Sequence, residues 1–395
     1  MYWERQLSDR LRAALAAFPS VLVTGPRQSG KTTFLKEELG SDYEYVTFDD
    51  PGERELVRSD PNGFLDQFSG RPVVLDEIQY VPELFSYLKM RIDAHRDRTG
   101  HWVMTGSQQF QLMKNISDSL AGRIGILELF PFHCGELVNS DVLDIIDLIW
   151  QGGYPSVCTG TVPRDAWLSG YIQTYVERDV RQLQNVQDLR LFETFLGLFA
   201  AGHAQVVNRA GISRKCGVSQ PTVRIWEGIL EASYVIRLLP PYFASFGKRL
   251  VKRPKSYFLD SAIAAYLTRQ TAPATLWRGA MGGAFFEGWI VAEAYKVFAA
   301  RGLRPDLYYW RSNDGMEIDL LVQVGHKLYP IEIKQTATPT SHHSEHLRRF
   351  RDIVGHERCE DGIVVCSTAS RRLLPHGVTA LPWQEFHTWL NTLLL

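Results

Sequence analysis

The chain has 395 residues, 45% of them hydrophobic and 22% charged, with 43 Lys+Arg against 44 Asp+Glu and a formal net charge of −1. This length accommodates two to four domains at roughly 100–200 residues each, and the composition excludes a collagen-like or largely disordered chain. The near-zero charge excludes attraction of the whole surface to nucleic acid or an anionic membrane, so any nucleic-acid site must be a local patch. The five cysteines (Cys134, Cys158, Cys216, Cys359 and Cys366) include no C-x-x-C pair. They are expected to be reduced thiols of a cytoplasmic protein rather than zinc or redox sites. The N-terminus, MYWERQLSDRL, lacks the apolar core of a secretory signal. The most apolar stretches are broken at Asp144 and Asp147 and at Glu287 and Glu293, leaving no run of ~18 residues to span a bilayer. No membrane partner is expected.

Short apolar runs at Ser20–Thr24, Tyr43–Phe48, Val73–Asp76, Trp102–Gly106 and Ile124–Leu129 alternate with helical patterns. This alternation predicts a parallel sheet covered by helices on both faces. The first run leads into Gly25-Pro26-Arg27-Gln28-Ser29-Gly30-Lys31-Thr32-Thr33, which fits the phosphate-binding loop G-x-x-x-x-G-K-[ST] in its strand–loop–helix context. Glycines let backbone N–H groups turn inward around phosphate oxygens, and the helix that follows points its positive end at the same anion. Lys31 would reach the β- and γ-phosphates of ATP, and Thr32 would ligate Mg²⁺. Val73-Val74-Leu75-Asp76-Glu77 is an apolar strand ending in two acids. Asp76 is expected to hold Mg²⁺ and Glu77 to polarise the attacking water.

Trp102–Ser107 runs from a strand into small polar residues. Ser107, and after it Thr105, is the candidate to orient that water, against the alternative of a simple strand-end turn. Arg123 closes Leu120-Ala121-Gly122-Arg123 just before the fifth strand. This resembles the arrangement in AAA+ ATPases, where an arginine there faces the neighbouring subunit's nucleotide. The alternative is a surface or helix-capping arginine. The finger role implies head-to-tail homo-oligomers closing into a ring, with six subunits as a candidate size.

Residues 140–200 turn helical, punctuated by Gly152-Gly153-Tyr154-Pro155. Residues 208–236 have a helix-turn-helix layout: a helix ending near Cys216, a turn at Gly217-Val218-Ser219, and a second helix capped by Ser219. Val223, Trp226, Ile229 and Leu230 form one apolar stripe, leaving Gln220, Thr222 and Arg224 to face a DNA groove. The stretch PYFASFGKRLVKRPK, residues 241–255, carries Lys248, Arg249, Lys252, Arg253 and Lys255 and no acid. A basic hairpin there looks like the wing of a winged helix and supplies a local patch for DNA, unless the module serves only for packing.

In the C-terminal third, Glu287 sits on the apolar helix AFFEGWIVAEAY, Asp319 on the strand MEIDLLVQV, and Glu332 and Lys334 in YPIEIKQ. Residues two apart on a strand share a face, so Glu332 and Lys334 point the same way. Acids from adjacent strands can hold a divalent cation, Mg²⁺ or Mn²⁺, beside a lysine that assists phosphodiester cleavage. This D…E-x-K layout resembles the PD-(D/E)xK, or restriction-endonuclease-like, fold. The resemblance implies Asp319, Glu332 and Lys334 as catalytic core with Glu287 as the helix acid; a salt-bridged hairpin is the alternative. His342, His343 and His346 are expected in a solvated loop near Arg348, Arg349 and Arg351 rather than around a metal.

In order, GPRQSGKTT, VVLDEIQ, MTGSQ, SLAGR, GGYP, YVERDV, FFEGW, EIDLLV and IEIK are similar to a prokaryotic family of AAA-type ATPases with a C-terminal domain of unknown function. The resemblance implies nucleotide hydrolysis, a winged helix and a nuclease-like C-terminus, and it offers Arg178 in YVERDV as a lid arginine. Ser107 stands where many AAA+ proteins place Asn, Asp or Thr. The expected architecture is α/β. An AAA+-like P-loop NTPase parallel sheet (1–138) is followed by a helical lid (139–202), a winged helix-turn-helix (203–275) and a restriction-endonuclease-like α/β domain (276–395). The expected activity is Mg²⁺-dependent conversion of ATP to ADP and phosphate, driving conformational change on DNA, with or without cleavage. The rival is a nucleotide switch acting on a protein partner through an inactive nuclease-like domain.

Overall fold

The computed structural model describes residues 2–107, 119–137, 144–175, 188–242, 253–312 and 315–395. It divides into two compact units: residues 1–138 with the short segments 232–234 and 298–304, and the remainder. In the first unit, strands β1 (Ser20–Thr24), β2 (Glu44–Thr47), β3 (Val73–Asp76), β4 (Trp102–Gly106) and β5 (Ile124–Glu128) form one parallel sheet in the order β2-β3-β4-β1-β5. Side chains alternate between two cores. Leu22, Leu75 and Met104 pack with Val57, Phe64, Phe85, Leu88 and Ile92 on one face. Val21, Val23, Val74, Val103 and Leu127 pack with Leu11, Phe34 and Leu35 on the other. The first group meets α3 (Pro51–Ser59), α4 (Pro61–Asp66) and α5 (Leu84–Ala94), and the second meets α1 (Ser8–Ala17) and α2 (Lys31–Leu39). Burial on both faces is why the inner strands β1, β3 and β4 read as continuous apolar runs. Asp50 and Asp60 accept from the Gly52 and Gly63 N–H groups and start α3 and α4, each with proline in its first turn.

The second unit begins with the helices α6 (Ile145–Gln151), α7 (Pro155–Cys158), α8 (Arg164–Thr174) and α9 (Leu189–Ala201). The GGYP motif has a specific task here. The Asp260 carboxylate accepts from the Gly153 N–H (2.8 Å) and from the Ala262 N–H (3.0 Å), so it also starts α12 (Ser261–Leu267). Gly152 adopts φ +72°, and a Cβ there would fall 2.4 Å from Asp260 Oδ1, which excludes any larger residue.

Next come β6 (Gln205–Val206), α10 (Arg209–Cys216), α11 (Gln220–Ala232), β7 (Ile236–Leu239) and β8 (Lys255–Phe258), with the three strands antiparallel in the order β6-β8-β7. Gly217 at φ +70° ends α10, and the Ser219 hydroxyl accepts from the Thr222 N–H at the start of α11. Val223, Trp226, Ile229 and Leu230 are buried, as the stripe predicts.

Following α13 (Pro273–Arg278) and α14 (Gly282–Ala300), a six-stranded sheet forms from β9 (Leu307–Arg311), β10 (Glu317–Val324), β11 (Lys327–Lys334), β12 (Ile363–Cys366), β13 (Arg372–Leu373) and β14 (Thr379–Pro382). Its order is β13-β14-β12-β11-β10-β9, antiparallel from β9 to β11 and parallel from β11 through β12 to β14. Two further helices, α15 (His342–Val354) and α16 (Trp383–Leu393), complete the unit. The histidine cluster corrects an expectation: His342, His343 and His346 lie on α15, not in a loop. Arg348 and Arg349 pair with Glu345, and Arg348 also with Asp352, along the same helix. These i, i+3 and i, i+4 pairs explain how so polar a segment stays helical.

Gly288 of the FFEGW motif is a contact glycine. A Cβ there would lie 1.9 Å from His203 Nε2. His203 is buried, its Nδ1 accepts the Phe258 N–H at 3.2 Å, and burial pushes its pKa down to about 4. The neutral ring therefore carries its proton on Nε2, against α14. Gly288→Ala gains helix propensity of ~1 kcal/mol, yet it should destabilise the protein by ~1–3 kcal/mol through overpacking. Thermal unfolding of the variant measures the sign; a rise in Tm contradicts the contact.

Candidate functional site

The phosphate loop leaves β1 at Gly25 and enters α2 at Lys31. Gly25 has φ +146°, and a Cβ there would meet the Leu129 carbonyl oxygen at 2.2 Å. Gln28 (φ +59°) and Gly30 (φ +93°) are also left-handed, the alternation that turns successive N–H groups inward. Pro26 and Ser29 are buried, Arg27 and Gly30 half-buried, and Gln28 and Thr33 exposed, so Thr33 lies on the outer side of α2. The Ser29 hydroxyl is buried without a hydrogen-bond partner among the described residues. Lys31 is folded into the loop, donating from Nζ to the carbonyls of Gly25 (3.1 Å) and Pro26 (2.9 Å). Arg5 braces the loop from outside. Its guanidinium donates to the Ser29 carbonyl (3.1 Å) and to the Phe130 carbonyl, and it pairs with buried Glu136 (3.1 Å).

Strand order brings the acids to this loop. β4 lies between β1 and β3, so the end of β4 sits between the phosphate loop and Asp76. Thr32 Oγ1 donates to Asp76 at 3.1 Å. The hydroxyls of Tyr45 and Thr105 donate to the two oxygens of the same carboxylate. Thr105 Oγ1 also accepts the Glu77 N–H (3.0 Å). Glu77 is held at φ +57°, a strained conformation for a residue with a side chain. Its carboxylate accepts from the Gln79 amide and, at 3.5 Å, from the Ser107 hydroxyl. Lys31, Thr32, Asp76, Glu77 and Ser107 thus lie together around the loop, while the contacts of Tyr45, Gln79 and Arg5 carry no local sequence signal. Thr105, the second candidate in sequence, bonds the Asp76 carboxylate and the Glu77 backbone N–H.

Arg123 is not brought to this group. It stands at the start of β5, whose Ile124 pairs with Ser20 at the start of β1, whereas the phosphate loop follows the other end of β1. The two ends are ~16 Å apart at strand rise. Arg123 makes a two-point pair with Asp93 of α5 (2.8 and 3.1 Å). Within one chain it cannot reach the phosphates.

Burial pushes the Lys31 ammonium down to about 8, against the opposing pull of Glu77 and Asp76. A bound triphosphate favours the charged form and raises this value. Below about pH 8 the empty protein already holds the proton; above it, ATP binding must take one up. ATP affinity is therefore expected to fall as pH rises from 8 to 10, by up to ~tenfold per unit. Calorimetry in buffers of different ionisation enthalpy should show proton uptake at pH 9 and little at pH 7. Affinity that is flat across this range contradicts it.

In the second unit, the register pairing Leu320 with Ile331 brings Asp319 beside Glu332. Asp319 Oδ2 accepts from Lys334 Nζ (3.1 Å) and from the Ile333 N–H (2.9 Å), and Glu332 Oε1 accepts from Lys334 at 2.7 Å. Glu287 of α14 joins them through Lys255. That Nζ lies 2.8 Å from Glu287 Oε1 and 4.0 Å from Asp319 Oδ1, and it also pairs with Glu317. The Tyr257 hydroxyl donates to Glu287 at 2.6 Å. Burial and then the Asp319 charge push Glu287 up to about 7 and Glu332 up to about 8. Among the described residues no group of three or more His, Cys, Asp or Glu is arranged to hold a metal. As arranged, then, the cluster does not fit a divalent ion, because two ammonium groups already bridge its oxygens. Lys255 is also a correction to the basic hairpin: it lies buried among acids, 4% of its side chain exposed, and faces no DNA. Of the other basic candidates, Arg253 is exposed, while Lys248, Arg249 and Lys252 lie outside the described residues, as does Arg178. Gln220 and Arg224 are exposed on α11, and Thr222 is half-exposed with its hydroxyl on Ser219 (2.8 Å).

A phosphate loop on a parallel sheet, facing an Asp-Glu strand end, defines the first unit as a P-loop ATPase domain of the AAA type. A family described as "AAA domain" matches residues 17–138. Two domains of unknown function, DUF8612 and DUF4143, match residues 142–274 and 282–386. The chain belongs to the family of AAA-domain proteins that includes the uncharacterized protein Rv2008c of Mycobacterium tuberculosis, with which it is 34% identical over 340 residues, 85% of this chain and 75% of that protein. An uncharacterized Haemophilus influenzae protein is 21% identical over 71% of this chain and 69% of its own length. Among solved structures, a Walker-type ATPase of Pyrococcus abyssi aligns with 66% of this chain and 94% of its own at 16% identity and TM-score 0.46. The Thermotoga maritima RuvB Holliday junction branch migration motor aligns with 59% and 89% at 16% identity and TM-score 0.30. Among the described residues no helix is long and apolar enough to cross a membrane.

Proposed function

We propose that the chain hydrolyses Mg²⁺-bound ATP and couples hydrolysis to rearrangement of its second unit on DNA. The observation that carries the ATPase assignment is the convergence of Lys31, Thr32, Asp76 and Glu77 around one phosphate loop. The inward-turned backbone and Lys31 bind the phosphates. The Thr32 hydroxyl and the Asp76 carboxylate, 3.1 Å apart, suit a magnesium ion, which when bound neutralises β- and γ-phosphate charge. Glu77 accepts the proton of the attacking water, and Ser107 and Gln79 set the direction of its carboxylate. Arg123, unable to serve its own chain, would complete the site of a neighbouring copy in a head-to-tail ring after releasing Asp93.

The DNA assignment rests on residues 203–275, read as a winged helix following a lid at 139–202. The strand–helix–helix–strand–strand order from β6 to β8 leaves Gln220, Thr222 and Arg224 on the solvent side of α11, opposite its buried stripe. Duplex DNA is expected to stimulate phosphate release, and Arg224→Ala to lose that stimulation while keeping basal turnover. Equal turnover with and without single-stranded, duplex and branched DNA would sink the assignment.

Residues 276–395 are read as restriction-endonuclease-like, from the order α14-β9-β10-β11-α15-β12 and the gathering of Glu287, Asp319, Glu332 and Lys334. A second reading, a nucleotide switch acting on a protein with this domain inactive, draws support from one observation: Lys255 fills the acid cluster. Cleavage in Mg²⁺ or Mn²⁺ that is lost in Asp319→Ala and Lys334→Ala would exclude that second reading.

A further inference from the structure

The acid cluster contains four carboxylates, Glu287, Glu317, Asp319 and Glu332, and two lysines. Lys334 is part of the D…E-x-K pattern and comes from the same strand as Glu332. Lys255 has a different origin: it belongs to β8, the middle strand of the three-stranded sheet, where it pairs with Val206 and Leu239. Proline precedes it, and Tyr257 lies two residues on. The period of a strand therefore sends both side chains to one face, and both meet Glu287. Tyr309 of β9 lies under the ammonium at 5.7 Å from Nζ to the ring centre, and its hydroxyl donates to the Arg253 carbonyl (2.7 Å), holding the chain that leads into β8.

A divalent ion needs carboxylate oxygens at ~2.0–2.6 Å. Glu287, Asp319 and Glu317, which face Lys255, cannot serve an ammonium and a metal at one place. Without Lys255, Asp319 and Glu332 keep Lys334 and Glu317 keeps Arg311, whereas buried Glu287 loses the cation that faces it, which is costly unless a proton or another cation replaces it. The position beside Glu287 thus favours a cation, Lys255 or one that replaces it. Lys255 sits on a hydrogen-bonded central strand rather than a loop, so its ammonium withdraws either by rotation of its flexible four-carbon stem or by a shift of β8 with its sheet against α14 and β10.

We propose that Lys255 is a built-in counter-cation that closes the acid–lysine site of the C-terminal domain to divalent metal, so that the site opens only when the Lys255 ammonium withdraws. This rests on reading the cluster as a metal-type site. It assigns the small sheet a control function that its helix pair alone would not suggest.

The test is Mn²⁺ binding to full-length, nucleotide-free protein, followed by electron paramagnetic resonance and calorimetry. Wild type, Lys255→Met, and Lys255→Met with Asp319→Asn are compared. The expected result is one Asp319-dependent Mn²⁺ site in Lys255→Met, at least ~10-fold tighter than in wild type, because a positive charge in contact with the site has gone. Equal Asp319-dependent binding in wild type and Lys255→Met overturns the closure while leaving the metal-type site intact. No Asp319-dependent binding in a Lys255→Met protein that unfolds cooperatively overturns the metal-type reading and the closure together. Lys255→Gln, which keeps N–H donors for the acids, serves if Lys255→Met fails to fold. A measurement on wild type is independent of either variant. Acetylation by an amine-acylating reagent, read by mass spectrometry, should be slow at Lys255 and faster at Lys334, whose side chains are 4% and 36% exposed. Millimolar Mn²⁺ should accelerate it at Lys255. Acetylation of Lys255 as fast as Lys334 without Mn²⁺, or unaffected by Mn²⁺ that fills the Asp319 site, overturns the proposal.

Discussion

Glu77→Gln is expected to leave ATP bound and to reduce its turnover by ~10²–10⁴-fold, the usual contribution of a positioned general base. The amide has the size of the carboxylate and can still meet Gln79 and Ser107, but it cannot take a proton from water. The strained φ of +57° is imposed by the Thr105 hydroxyl and by the turn at Ile78–Tyr80, so the substituted side chain should leave the same backbone position. Neither Lys31 nor Thr32 depends on Glu77 for its hydrogen bonds in the loop. Steady-state phosphate release beside equilibrium binding of a fluorescent ATP analogue separates the two effects. Wild-type turnover by the variant removes Glu77 as the base.

Lys31→Ala should act at the preceding step. Loss of a buried, hydrogen-bonded charge partner costs ~2–5 kcal/mol, which corresponds to a loss of ATP affinity of ~30-fold or more. The fold should tolerate it. Among the described residues Lys31 Nζ bonds the carbonyls of Gly25 and Pro26, and the glycine geometry that shapes the loop does not depend on that ammonium. The same analogue titration measures it, and an affinity equal to wild type contradicts the assignment of Lys31 to the phosphates.

The ATPase domain was legible because its signals are local. Strands β1, β3 and β4 coincide with the apolar runs Ser20–Thr24, Val73–Asp76 and Trp102–Gly106, and the phosphate loop occupies a single continuous segment. The helix pair was legible for the same reason, through Gly217, Ser219 and the buried stripe of α11. Residues whose meaning depends on partners far along the chain were not. Arg5 and Glu136 are separated by 131 positions, and Tyr45 meets Asp76 only because β2 pairs with β3. Lys255 was misassigned by local charge density: it follows Lys252 and Arg253, and a run of cations reads as a solvated patch. What distinguishes it is that it opens a strand whose alternate residues face Glu287, which requires the fold. GGYP and FFEGW carry glycines whose purpose, seating Asp260 and His203, becomes visible only once those partners are placed.

A single-turnover experiment on the wild-type protein addresses the central claim most directly. Limiting labelled ATP is bound by excess protein and the nucleotide is recovered over time, with Mg²⁺ and again with chelator. Conversion of bound ATP to ADP and phosphate with Mg²⁺, and recovery of intact ATP with chelator, is the predicted result. Intact ATP recovered in both, from protein that binds it, would contradict the assignment of Lys31, Thr32, Asp76 and Glu77 as a hydrolytic site.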